Sequence, residues 1–368
     1  MDRVQFIRSN LVRKGVNEMS RLTTKAGLIG GALLLLLTAC SPAEPAGQQD
    51  KTVIGFSMHN LIDERWQRDR DHFEASIREA GADVITLTAG GDESKQAAQA
   101  EKLLERGVDV LVIVAQNTES PLLGAVIEKA HSKGVKVLSY ARLIKNADTD
   151  FYVSIDNVKV GELQAEEILK RAPQGNYVYI GGGQTDNNAV LLRDGSIRVL
   201  EKHKDRVTVV ADDYSADWKP EEAYKHMKAA LARTGGSIQG VVAANDGTAG
   251  AAVQALSELG LAGKVPVSGQ DAELEALQRV VRGTQAMTIF LPIENMAKAA
   301  ADAALAFAGG QEPVSNHKVP NGKKDVPSHL LEPVVVTKEN VATTVVKAGY
   351  AAMEDVFQGI PKEQWPQP

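Results

Sequence analysis

From Thr52 to about residue 309 the chain alternates short apolar runs rich in β-branched residues with longer stretches of helical periodicity. Few folds accept this pattern, because strand–helix repeats pack as parallel sheets with helices on both faces. The first half predicts strands at 52–58, 83–88, 109–115, 136–140 and 152–155, with helices at 62–80, 93–106, 119–133 and 158–171 between and after them. The second half repeats the scheme, with strands at 177–181, 207–211, 239–243, 265–268 and 285–290 and helices at 187–203, 219–233, 247–259, 272–282 and 293–309. Two such runs predict two similar lobes. Right-handed crossovers place the strand-to-helix loops of each lobe on one edge of its sheet. Two facing edges make a cleft, and open α/β sheets bind ligands beyond the carboxyl ends of their strands.

Length agrees, since 368 residues exceed one typical domain. The net charge of −6 gives no basic footprint for nucleic acid. The single cysteine, Cys40, excludes an intrachain disulfide and a cysteine-based zinc cluster. It ends an apolar run, Ala26 to Ala39, that lies behind Arg21 and Lys25. That run is shorter than the roughly 20 residues of a membrane span and has the length of a signal-peptide core. Leu37-Thr38-Ala39-Cys40 resembles a bacterial lipobox, in which the cysteine is lipidated and becomes the first mature residue. Residues 1–40 are therefore expected to be a lipoprotein signal peptide, with Met19 an alternative start, and residues 41–51 a Pro-containing tether. Beyond Gly310 the alternation stops. Asn321 to Asp325 reads as a turn, Val334 to Val336 as a last strand, and Lys338 to Phe357 as mixed helix in a tail that could recross between the lobes.

The candidate chemistry lies at strand ends. Arg65 and Trp66 follow the first strand, Arg142 the strand at 136–140, Asn187 and Asn188 the Gly181-Gly182-Gly183 loop, and Asn245-Asp246 and Asp271 the later strands. Trp218 opens another helix. Guanidinium forks, amides and carboxylates pair with hydroxyls, and indole rings cover an apolar face. Together they suit a small polyol with an apolar ring face. Each has a purely structural reading too: a solvated arginine, a packed tryptophan, or an N-cap at Asp186, Asn187, Asn245 or Asp271. The glycine run has neither dinucleotide-fingerprint nor P-loop spacing. The seven histidines show no metal-binding spacing, His59 standing out only by its place in the first cleft loop, and no nucleophile elbow occurs. Neither metal, cofactor nor catalytic set is expected.

The runs Glu64-Arg65-Trp66-Gln67, Arg106 to Ile113, Gly161 to Ala165, Pro173 to Tyr177, Asp186 to Ala189, Asn245-Asp246, Ser268 to Ala272 and Lys324 to Ser328 carry a resemblance. The chain from Thr52 to Phe357 resembles the D-xylose-binding proteins of bacterial ATP-driven sugar importers, within the type I periplasmic binding proteins. The resemblance implies two Rossmann-like lobes joined by a three-stranded hinge, at 52–156 plus about 292–323 and at 157–291 plus about 324–360. It implies a monosaccharide held by Arg65, Trp66, Arg142, Asn188, Trp218, Asn245 and Asp271. Two positions depart from the family. Ala141 stands where an aspartate is typical and Leu291 where a lysine is typical, which is expected to change the hydroxyls that are met.

The sequence thus predicts a non-enzymatic, extracytoplasmic, lipid-anchored monosaccharide receptor, monomeric, serving an ABC permease by cleft closure. The same receptor reporting to a membrane histidine kinase is the alternative. A sugar-regulated repressor core shares the fold but needs a DNA-binding element where this chain has its lipobox.

Overall fold

The computed structural model describes residues 51–366. The signal and tether expected at 1–50, with Cys40, lie outside the described residues.

The first strands are β1 (Val53–Met58), β2 (Asp83–Thr88), β3 (Val110–Ile113), β4 (Lys136–Tyr140) and β5 (Phe151–Ile155). They alternate with α1 (Glu64–Glu79), α2 (Glu93–Glu105) and α3 (Pro121–Ser132). Pairing is parallel throughout these five strands. Strand alternation explains the layering. Val110 and Val112 enter one apolar cluster with Trp66, Phe73 and Ile77 of α1, while Leu111 and Ile113 enter another with Leu103 of α2 and Ile127 of α3. Both faces of the sheet are covered, so β3 reads as an unbroken apolar run. Each such fully buried aliphatic contributes roughly 1.5–3 kcal/mol.

The second lobe starts with α4 (Asn157–Arg171) and continues through β6 (Gly175–Gly181), α5 (Asn187–Glu201), β7 (Val207–Tyr214), α6 (Pro220–Thr234), β8 (Gly240–Ala243), α7 (Asp246–Ser257), α8 (Leu274–Arg282) and β9 (Thr288–Phe290). The strand order is β7-β6-β8. Val178 and Ile180 face α6 and α7, whereas Tyr177 and Tyr179 face α4 and α5. The strand expected at 265–268 is reduced to two isolated bridges, Val241 with Val267 and Ala262 with Val265. Pro266 has no N–H to give to a ladder, although its carbonyl accepts from Val241 N at 3.0 Å. The stretch still joins β8 to β9, because Val267 O accepts from Ala286 N at 2.9 Å and Gly269 O from Ile289 N at 3.1 Å.

The chain then returns. Helix α9 (Ile293–Ala308) packs into the α1 face of the first sheet. A hairpin of β10 (His317–Pro320) and β11 (Asp325–Leu331) follows, and β11 pairs in parallel with β5. Residues from 324 onward were expected in the second lobe; instead β11 belongs to the first, and the boundary falls after Leu331. Asn321 fixes the hairpin there, its buried Nδ2 donating to Ile144 O at 3.1 Å and Ala147 O at 2.7 Å. Strand β12 (Val334–Val336) then pairs antiparallel with β9 in the second lobe. The chain passes between lobes after β5, after β9 and after β11, which are three crossings in one hinge region. The tail beyond it forms a π turn at Ala342–Val346 and α10 (Met353–Val356), packed on α8 through Val345, Val356 and Phe357.

Candidate functional site

The site is built where the two sheet edges meet. Arg65 and Trp66 come from the first turn of α1, both buried at 8% and 4% exposure. The Arg65 guanidinium carbon lies 4.5 Å from the Trp66 ring centroid, and that of Arg142, after β4, lies 5.3 Å from it. These are cation–π distances, so both guanidinium groups pack against the indole. His59, just after β1, meets the same ring edge-on at 4.5 Å and 86°.

Arg65 connects the lobes. Its Nη1 donates to Asp271 Oδ1 at 3.2 Å, and its Nε sits 3.4 Å from Asp69 Oδ2 one turn along α1. Asp69 in turn accepts from the buried Tyr140 hydroxyl. Burial alone would lower the Arg65 pKa, but Asp69 and Asp271 outweigh it and raise it, so the guanidinium stays charged. Burial lowers the pKa of Arg142, against the pull of Asp186. Its Nη1 donates to Ala115 O at 3.2 Å, and its Nε lies 2.9 Å from Asp186 Oδ2.

From the second lobe, Asp186 caps α5 through Asn188 N at 2.9 Å and accepts from Trp218 Nε1 at 3.2 Å. Asn188 lies in the first turn of α5. Its Nδ2 donates to Ala141 O at 2.8 Å, across the cleft, and its Oδ1 accepts from Asn157 Nδ2 at 3.1 Å. Trp218 lies on the glycine loop. A Cβ on Gly182 would come within 2.3 Å of the indole, so that glycine makes room for the ring rather than receiving an anion. Asn245 is the N-cap of α7 and accepts from Thr248 N at 3.0 Å, yet it also faces the cleft. Asp271 caps no helix, since α8 starts after Glu273.

Arg65, Trp66, Arg142, Asn188, Trp218, Asn245 and Asp271 all line one cavity of about 40 Å³, together with Asp63, Asp186 and Gln270. A larger cavity of about 1090 Å³ shares Asp63, Arg142, Asp186, Trp218 and Asn245 with it and opens the cleft outward. Backbone strain is concentrated here. Ala141, Trp218 and Asp271 have positive φ of 59°, 61° and 102°, a conformation that side-chain-bearing residues hold only where the surroundings enforce it. Ala141 and Leu291 are fully buried in the apolar cluster that also holds Trp66. Neither is among the residues that line the two cavities.

Asp63, Gln270 and His59 carry no ligand role in the sequence pattern, yet each lines at least one of the two cavities. Gln270 is adjacent to Asp271, and its Oε1 has no hydrogen-bond partner. Asp63 precedes α1 without capping it by its side chain; burial and then Asp271 raise its pKa. On the second-lobe side of the larger cavity, burial raises Asp246 to about 7 and, reinforced by Asp271, Glu273 to about 8. Among the described residues no group of three or more acidic, histidine or cysteine side chains could hold a metal, and no helix is long and apolar enough to cross a membrane.

A two-lobed α/β receptor with its polar and aromatic residues converging on the interlobe cleft is a solute-binding protein by class. Residues 54–312 match the family described as periplasmic binding protein domain, and the chain belongs to that family. It is 45% identical over 324 residues to the D-xylose-binding periplasmic protein of Escherichia coli (strain K12), covering 88% of this chain and 98% of that one. The D-xylose-binding periplasmic protein of Haemophilus influenzae is 43% identical over 331 residues, covering 89% and 99%. Among solved structures, an ABC transporter solute-binding protein from Clostridium phytofermentans with bound β-D-glucose superposes with a TM-score of 0.76 at 29% identity, over 83% of this chain and 100% of that chain.

Proposed function

We propose that this protein is an extracytoplasmic, non-enzymatic receptor for a monosaccharide, D-xylose or a related aldose, which it delivers to an ABC permease by cleft closure. The observation that carries the reading is the single cavity lined from both lobes by Trp66, Trp218, Arg65, Arg142, Asn188, Asn245 and Asp271. Indole faces cover the apolar side of a sugar ring, while the guanidinium, amide and carboxylate groups pair with its hydroxyls. Relatives with D-xylose-binding names support the ligand class. Arg65–Asp271 and Asn188–Ala141 contacts already span the cleft, so a sugar bound among them favours the closed form, the form a membrane partner would recognise. The lipobox at Leu37 to Cys40 supports a lipid anchor at Cys40, and the self-contained site supports a monomer.

Ala141 and Leu291 are both buried in the apolar cluster that holds Trp66. We expect them to shift the choice among aldoses, through the groups they displace. Calorimetry against D-xylose, L-arabinose, D-ribose, D-glucose and D-galactose tests both points. Tight binding of at least one aldose supports the function. Tight binding of D-xylose with no response to the other sugars contradicts the specificity shift.

A further inference from the structure

The side chain of His59 is 1% exposed, and neither ring nitrogen has a hydrogen-bond partner within the protein. Leaving a buried polar atom unmatched costs about 1–3 kcal/mol, so such a group in a cleft needs a reason. Its position supplies one. His59 directly follows β1 at the ligand edge and lines the larger cavity, which shares Arg142, Asp186 and Trp218 with the smaller one. The ring is pressed edge-on against Trp66, which limits how far it can swing.

We propose that His59 meets a hydroxyl of the bound sugar through a ring nitrogen and helps select which sugars the cleft accepts. This rests on the sugar-receptor reading above. The chemistry suits the task. Burial, then Arg142 and Arg65, hold the imidazole pKa well below its ordinary value. A neutral imidazole keeps one N–H donor and one bare acceptor nitrogen, and a hydroxyl can use either. An imidazolium beside two guanidinium groups would offer donors only. The competing role is that of a prop for the Trp66 ring, which a phenyl ring would fill equally well.

The test is calorimetry on the wild type, His59→Phe and His59→Gln with D-xylose, D-glucose and the monodeoxy analogues of whichever binds. His59→Phe is expected to weaken binding of the parent sugar by about 5- to 150-fold, while the ligand-free melting temperature holds or rises. His59→Gln, with a donor and an acceptor, is expected to keep more of the affinity. One deoxy analogue should lose affinity on the wild type but little further on His59→Phe, the signature of a coupled pair. Wild-type affinity in His59→Phe, or an equal loss across every analogue, overturns the proposal while the receptor reading stands. Should His59→Phe not fold, the same cycle is read between wild type and His59→Leu, which also lacks a polar atom. A wild type that binds none of these sugars overturns the receptor reading and this proposal together.

Discussion

Trp218 shows how tightly the site is specified at the level of single residues. Its φ is 61° and that of Asp217 is 53°, and its ring lies where a Gly182 Cβ would be at 2.3 Å. Gly182→Ala therefore displaces the indole without touching the ligand. We expect at least a tenfold loss of sugar affinity, about 1.4 kcal/mol, with a much smaller change in ligand-free melting temperature; calorimetry showing unchanged affinity would remove Trp218 from the site. Glu273 gives a pH prediction. Its folded pKa, raised to about 8 by burial and neighbouring acids, exceeds the ordinary value near 4.5. The folded state thus holds the proton more tightly, and that stabilisation is fully present below about pH 4.5 and lost as pH rises to 8. Glu273→Gln should melt a few degrees above the wild type at pH 8 and converge with it below pH 5. Wild-type melting at pH 8 would show that Glu273 is not held protonated. At this scale Arg65, Arg142, Asn188 and Asp271 were legible, because their chemistry stands at strand ends in the sequence. His59 and Gln270 were not, because what marks them is burial with unpartnered polar atoms, which only packing reveals, and Asp63 is marked only by its place on the cavity wall.

Among the elements, α4 and α5 meet more closely than ordinary helices. A Cβ on Gly161 would fall 2.0 Å from Leu192 O, and one on Gly195 would fall 2.1 Å from Val158 O. Each glycine admits the backbone of the other helix. This contact sets Asn157 against Asn188 at the N-terminal ends of the two helices, and so steers the Asn188 amide to Ala141 O. Overpacking such a contact costs roughly 1–3 kcal/mol. Gly161→Ala is expected to lower the urea midpoint accordingly, and an unchanged midpoint would mean the helices separate freely. Most elements could be read from periodicity, since β3 is a continuous apolar run and α1 places Trp66, Phe73 and Ile77 on one face. The failures have physical causes. Pro266 breaks the ladder at 265–268, and β10 is a mostly exposed edge strand that carries little hydrophobic signal.

The described residues form two lobes whose ligand edges are held together by a few polar contacts. Thr118 of the first lobe donates from N and Oγ1 to Thr185 O of the second, both at 3.0 Å. Arg142 faces Asp186 and Arg65 faces Asp271. Breaking one partner of a buried ion pair leaves the other charge uncompensated, so Asp271→Ala should lower stability as well as affinity. Differential scanning calorimetry with and without sugar separates the two effects, and loss of affinity alone would place Asp271 outside the lobe contact. The two-lobe plan was visible in the doubled alternation. The return of β11 to the first sheet was not, because a parallel pairing with β5 depends on register across a long stretch of intervening chain. The central claim is that this cleft closes on one aldose. Its most direct test is a titration of the purified protein with D-xylose and the aldose panel in a calorimeter. The account predicts one sugar bound per chain, with a dissociation constant of about 10 μM or tighter. No heat and no melting shift with any of these sugars would contradict it.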